Sequence, residues 1–161
     1  MSYPTFTHEQ LIAGWYKRSQ KERTGEFTIF DQLMSLWLAF NAWGTYESKK
    51  DKDFEMLSWI KTNTDLPNIH RKLVKEDQDY LQRVNRLSQY EVLDMRPGHQ
   101  GQSKSIRNIN SLDELLDVIY QIRCNLFHGQ KSEIDPRDRE LVDLAFHILS
   151  RIFKPLAIEL H

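Results

Sequence analysis

The residues from Phe27 to Tyr46 constrain the fold more than any others, because they read as one helix that is apolar nearly all the way round. Phe27, Ile29, Phe30, Leu33, Met34, Leu36, Trp37, Leu38, Phe40 and Trp43 leave no wide polar stripe to face water. A helix of this kind belongs at the centre of a bundle, with other elements covering it. Its most apolar part, Leu33 to Trp43, is interrupted by Ser35 and Asn41 and falls well short of the roughly 20 residues that cross a bilayer. At about 100° per residue, Phe30, Met34, Trp37, Leu38 and Asn41 share one sector. Asn41 is then a polar group in an apolar stripe, either a core amide paired with backbone or an inner wall of a site.

The elements that cover such a helix are also helical. Thr7-His8-Glu9-Gln10 is a capping box, and the helix after it runs to about Arg18 with Leu11, Trp15 and Ile12 inward. A short helix is expected around Phe54 to Lys61, a turn at Asn63 to Asn68, and a long polar helix from Ile69 to about Val92. Leu73, Tyr80, Leu81, Val84 and Leu87 give that long helix a one-sided stripe. Arg96 to Asn110, with Pro97, Gly98 and Gly101, is the one long loop. Ser111-Leu112-Asp113-Glu114 is a second capping box. It opens a helix in which Leu112, Leu115, Ile119, Ile122 and Leu126 recur at spacings of 3, 4, 3 and 4. Gly129 marks its stop. Asp135-Pro136 starts the last helix, with Leu141, Leu144, Ala145, Ile148 and Ile152 inward and Pro155 ending or kinking it. Trp15, Trp37, Trp43 and Trp59 read as core residues. No convincing run of strands is present. The fold class is all-α, an up-and-down bundle of about five main helices.

At 161 residues the chain is expected to form a single domain, 1–161. A domain of that size buries about two thirds of its surface and needs no metal or disulfide to fold. Cys124 is the only cysteine, which rules out an intrachain disulfide and a zinc site built on several thiolates, and suits a reducing, cytoplasmic setting. Met1 to Gln10 has no apolar run of the kind a secretory leader carries, and no membrane partner is expected. The histidines share no ligand spacing, so no metal and no cofactor are expected. The net charge of −1 argues against a protein that coats nucleic acid non-specifically. Charge is unevenly spread, however. Met95 to Leu112 has no acidic residue but carries Arg96, His99, Lys104 and Arg107. This stretch is either a solvated loop or a place for phosphate, with Lys104 and Arg107 as RNA contacts.

The residues that could carry chemistry sit at the end of the helix after Ser111: Arg123, Asn125, His128 and, just beyond Gly129, Lys131. Cleaving RNA through its own 2'-hydroxyl requires a base for the 2'-proton or an acid for the leaving 5'-oxygen. Histidine suits either role near neutral pH. It also requires a fixed cation for the charge developing on the phosphoryl oxygens, and the planar fork of arginine fits two of them. Asparagine can orient the phosphate or the imidazole. Arg123 and His128, five residues apart, are about 140° apart around an ideal helix and roughly 7.5 Å apart along it. Asn125 and His128 share a face. Arg123 and His128 would meet only if the helix unwinds near Gly129 or if two copies pair across a two-fold axis. The plain alternative is a helix end where Arg123 and His128 offset the C-terminal dipole. Cys124 reads as a small packed thiol rather than a nucleophile.

The run Ile122-Arg123-Cys124-Asn125-Leu126-Phe127-His128-Gly129-Gln130-Lys131 resembles the signature of the HEPN superfamily, in the subgroup related to the Apea-like HEPN domains. Phe30 to Trp43, with its Ala39-Phe40-Asn41 step, resembles that subgroup's early core helix. Many relatives carry Asn directly after the Arg, where this chain has Cys124. The resemblance implies an up-and-down helical bundle, dimeric as a rule, whose active members are metal-independent RNases serving as toxins or in antiviral defence. It implies Arg123 and His128 as the catalytic pair, with Asn125 as the polar residue within the motif. Lys131, Asn41, Lys104 and Arg107 are the accompanying RNA-binding candidates. The expected partners are RNA, a second copy of the chain, and an antitoxin or other regulatory protein. A non-catalytic HEPN module that binds RNA, nucleotide or a partner protein is the other function class.

Overall fold

A computed structural model of the chain describes residues 6–99, 101–129, 132 and 134–158. Among them are seven helices: α1 (His8–Ser19), α2 (Ile29–Ser48), α3 (Asp53–Asn63), α4 (Leu66–Glu76), α5 (Gln78–Leu87), α6 (Leu112–Phe127) and α7 (Pro136–Ile158). One antiparallel ribbon, β1 (Val92–Leu93) with β2 (Ser103–Lys104), completes the described elements. The all-α class is therefore what the chain adopts. None of these helices is long and apolar enough to cross a membrane.

Two helices organise the bundle. α2 packs on α1, α3, α6 and α7, and α7 packs on α1, α2, α4, α5 and α6. Where they meet, Phe40 and Phe153 stand edge to face at 5.6 Å, flanked by Trp37 and Trp43. Aromatic rings in this arrangement add about 0.5–1.5 kcal/mol per pair beyond the area they bury. All seven helices contribute side chains to one buried cluster. Gly44 sets the approach of α3 to α2. A Cβ there would run into Met56 Sδ and lie 2.9 Å from Ile60 Cδ1. A larger residue there would have to displace the ends of the Met56 and Ile60 side chains.

Local chemistry explains most boundaries. Thr7 and Gln10 exchange bonds as a complete capping box. Thr28 caps α2 with Asp31 as the returning carboxylate. Ser111 caps α6 by accepting from the Glu114 amide. The Glu114 carboxylate does not reach back to complete that box; it accepts from the amides of Arg107 and Asn108 and so closes the preceding loop. Asp135 accepts from the amides of Arg137 and Asp138 at the start of α7, and α7 continues through Pro155 to Ile158.

Several expectations need correction. The helix expected from Ile69 to Val92 is two helices, broken at Asp77, whose backbone turns extended (φ −114°, ψ 103°). Its carboxylate caps α5 through the Tyr80 amide and pairs with Arg151. In α1, Ile12 is the buried apolar residue, while Leu11 and Trp15 are 41% and 37% exposed. α2 is apolar all round but not covered all round, because Met34 and Leu38 remain exposed. The long loop contains the ribbon. Strands of two residues are too short to show the alternation by which strands are recognised.

Among the described residues, His70 is the one fully buried imidazole. Its Nε2 lies 2.8 Å from the Ile109 carbonyl oxygen, and Nδ1 lies 2.6 Å from the Tyr80 hydroxyl. A carbonyl can only accept, so Nε2 carries the hydrogen and Nδ1 accepts from Tyr80. Burial holds His70 below the usual histidine range. The neutral ring thus ties α4 and α5 to the turn that leads into α6.

Candidate functional site

α6 gives the three polar residues of the motif three different surroundings. Arg123 faces α2 and α3. Its guanidinium centre lies 4.3 Å from the Phe127 ring, 5.4 Å from Trp37 and 5.8 Å from Tyr120. Nη1 pairs with Asp53 Oδ2 at 3.3 Å, and the side chains of Arg123 and Asp53 are 20% and 23% exposed. Asp53 is the first residue of α3, where the helix dipole favours an anion. The carboxylate is held from further sides: Asn41 donates to Oδ1 at 2.8 Å and the Tyr120 hydroxyl donates to Oδ2 at 3.5 Å. Burial is the main force raising Tyr120 well above the usual phenol range, and the adjacent Cys124 thiol and Asp53 add to it. Arg123 Nε and Trp37 Nε1, both buried beside these rings, donate to no acceptor among the described residues. A buried donor left in this state costs about 1–3 kcal/mol.

Asn41 therefore belongs to the site rather than to a purely apolar core. It is half-buried, and it reaches Arg123 through Asp53. Asp53 itself was hidden in the sequence. It ends a charged stretch, Glu47 to Asp53, and 70 positions separate it from Arg123. The one available signal was that Asn41, set in an apolar stripe, needed a nearby polar partner.

Asn125 is fully buried. Its amide donates to the Leu93 carbonyl at 2.8 Å, and its oxygen accepts from the Met95 amide at 3.3 Å and from Gln121 Nε2 at 3.0 Å. These bonds clip the ribbon onto α6. They also correct the catalytic role expected for Asn125, because a side chain closed off in this way touches neither a phosphate nor the His128 ring.

His128 caps α6 and is exposed. Its amide still bonds to the Cys124 carbonyl at 3.1 Å, so the helix does not unwind before His128. Gly129, at φ +70°, takes the left-handed position that ends the helix. The separation of about 140° between Arg123 and His128 is thereby kept. Cys124 is a buried free thiol that accepts from Arg123 Nη1 at 3.8 Å. Lys131 lies outside the described residues.

The stretch without acids divides in two. Arg96 is met by Asp94, the residue just before that stretch. Asp94 Oδ1 accepts from Arg96 Nε at 2.9 Å and Oδ2 from Nη2 at 2.6 Å. The guanidinium beside Asp94 holds its carboxyl down at about 2. Lys104 and Arg107 are exposed, and neither forms an ion pair among the described residues. Lys104 on β2 lines a cleft of about 340 Å³ between α3, the ribbon and α6, and Arg107 is not among the residues that line it. Tyr120 belongs both to that cleft and to the ring of aromatics around Arg123. No group of three or more metal-ligating side chains occurs among the described residues. Set against known proteins, the chain finds no counterpart that would place it in a family: no family model, no curated protein and no solved structure matches it.

Proposed function

We propose that the chain is a metal-independent endoribonuclease of the HEPN type that works as a homodimer on RNA, in the setting of a toxin or an antiviral effector with an antitoxin or similar protein as regulator. The observation that carries this reading is the contrast at the end of α6. Arg123 is a cation fixed by Asp53 and three rings, and the exposed His128 follows five residues later on the same helix. The reaction needs a base to take the 2'-proton, an attack by the 2'-oxygen on phosphorus, and an acid to protonate the 5'-oxygen as the P–O5' bond breaks. Histidine performs the proton transfers and arginine stabilises the phosphoryl oxygens. Because the two groups diverge within one copy, a two-fold partner supplies the group that the first copy cannot bring to the same phosphate.

A second reading has its own support. Asp53 already answers the charge of Arg123, and Asn125 is closed off from ligands. Both features suit a non-catalytic module of the same type that binds RNA, nucleotide or a protein.

Incubation of end-labelled RNA with the protein in EDTA separates the two. The enzyme reading expects 2',3'-cyclic phosphate ends and a loss of about 10²–10⁴-fold in His128→Ala, with the melting temperature unchanged because His128 is exposed. Absence of cleavage by the wild type, or full activity in His128→Ala, removes the enzyme reading. Inactive Arg123→Ala and His128→Ala chains, refolded together, regain part of the activity if the site is shared between copies.

A further inference from the structure

We infer that the cleft between α3, the β1–β2 ribbon and α6 is a subsite for one unstacked ribonucleotide of a single strand, with its base on Phe54 and its phosphate at Lys104; the inference rests on the ribonuclease reading and names the form of RNA that site takes. Four observations combine. The cleft is of small-ligand size, about 340 Å³, close to the lower end of the roughly 300–1,000 Å³ of ordinary ligand pockets. A folded partner or a helix does not enter such a space. One wall carries Phe54, an aromatic ring 67% exposed to water, with Leu57 beside it. An exposed ring at a cleft mouth is what an unstacked base covers, since every base has a flat face to stack.

The opposite wall carries the charge. Lys104 on β2 has no ion pair among the described residues. The other two cations of the cleft are already answered, Lys61 by Asp113 and Asp117 and Arg96 by Asp94. One free cation suits the single negative charge that a strand carries per nucleotide. The clustered charge of a nucleoside triphosphate would meet two fixed carboxylates, Asp94 and Asp117, and too little positive charge. Finally, Tyr120 forms part of this cleft and also lies beside Arg123. A nucleotide seated here places the neighbouring phosphate of the same strand toward Arg123.

The test uses the full chain with His128→Ala to prevent turnover, and an octaribonucleotide carrying 5-iodouridine. Irradiation is expected to join the uracil to Phe54 or Tyr120, as read by peptide mass. Phe54→Ala is expected to weaken binding of the same oligonucleotide about tenfold and Phe54→Trp to restore it. Lys104→Glu is expected to weaken binding and to flatten its dependence on salt. Phe54 and Lys104 are both exposed, so neither change threatens the fold. Cross-links only elsewhere, or binding within twofold of the parent in both Phe54→Ala and Lys104→Glu, overturn the subsite. Stronger competition by free ATP than by an unlabelled octamer overturns the strand in favour of a free nucleotide. Cleavage assays on the His128 background keep the two ideas apart. Wild-type cleavage with KM unchanged in Phe54→Ala defeats the subsite alone, whereas binding that depends on Phe54 without any cleavage defeats the ribonuclease alone.

Discussion

Among the described residues, two arginine–aspartate pairs lie near α6, and they are built on opposite principles. Asp94 and Arg96 are two residues apart, bonded through both oxygens, with the guanidinium still 42% exposed. Asp53 and Arg123 are 70 residues apart, meet through a single contact at 3.3 Å, and are mostly covered by aromatic rings. The better hydrogen-bond geometry thus belongs to the pair that joins nothing but its own turn. The poorer geometry belongs to the pair that ties α3 to α6. Distance along the chain and loss of water, more than bond length, decide which of them holds the fold together.

Breaking the long-range pair is expected to have the largest effect. Arg123→Ala strips the cation out of its aromatic setting and should cost about 2 kcal/mol, between the values for exposed and buried pairs. For a chain of this size that lowers the melting temperature by about 4–8 °C, as calorimetry would show. If Arg123 acts on RNA, cleavage is lost as well, so this variant alone does not separate chemistry from folding. Asp53→Asn is the sharper change. It keeps an acceptor for Asn41 and Tyr120 while removing the charge, and should cost about 1 kcal/mol. Cleavage that survives or rises in Asp53→Asn would show that the carboxylate competes with phosphate for Arg123; cleavage lost at nearly native stability would make Asp53 a positioning residue.

Acid should reveal a third tie, which carries no charge at all. His70 is held neutral by burial, so the unfolded chain takes up its proton first as the pH falls below 6.5. The contribution of His70 is complete above that value and is lost on the way down. Thermal melts from pH 7 to pH 5 should therefore fall, and His70→Gln should flatten that slope. No change in slope would mean that other groups govern it. Asp94 acts in a lower window, because its carboxyl sits at about 2 against an ordinary 3.8. Its contribution is present above 3.8 and disappears as the pH falls toward 2.

The smallest effect is expected at the local pair. Arg96→Ala should leave the melting temperature within about 2 °C of the parent. A larger drop would show that the ribbon depends on its turn as much as on the clip at Asn125.

What the sequence disclosed follows the range of the interactions involved. The caps at Thr7 and Ser111, the spacing from Leu112 to Leu126, and the start at Asp135-Pro136 act within one or two turns, and each appears where the pattern placed it. The break at Asp77 was legible in principle, since Asp is a good cap. The apolar stripe nevertheless runs on from Leu73 to Tyr80 and hides the change of direction. Exposure was harder to read, because Ile12 and Leu11 are adjacent and equally apolar, and only the position of α2 decides between them. The candidate site was legible only as a string. Pattern brought Arg123, Asn125 and His128 together along the chain, whereas packing gives each a different setting and joins Arg123 to Asp53 and Asn41 instead. No spacing rule predicts a contact between α3 and α6, because it arises from the packing of helices that lie far apart along the chain.

The clip at Asn125 has a consequence for how such a chain can change over generations. Asn125 grips the ribbon through the Leu93 carbonyl and the Met95 amide, groups that every residue except proline provides in full. Leu93 and Met95 themselves are exposed, at 48% and 43%. The ribbon's side chains are therefore open to replacement, while position 125 is not, since few side chains both donate and accept in so small a volume. Descendants that had given up all chemistry would still retain Asn at this place. Its persistence in a lineage would record the architecture of the ribbon and say nothing about whether His128 still moves a proton.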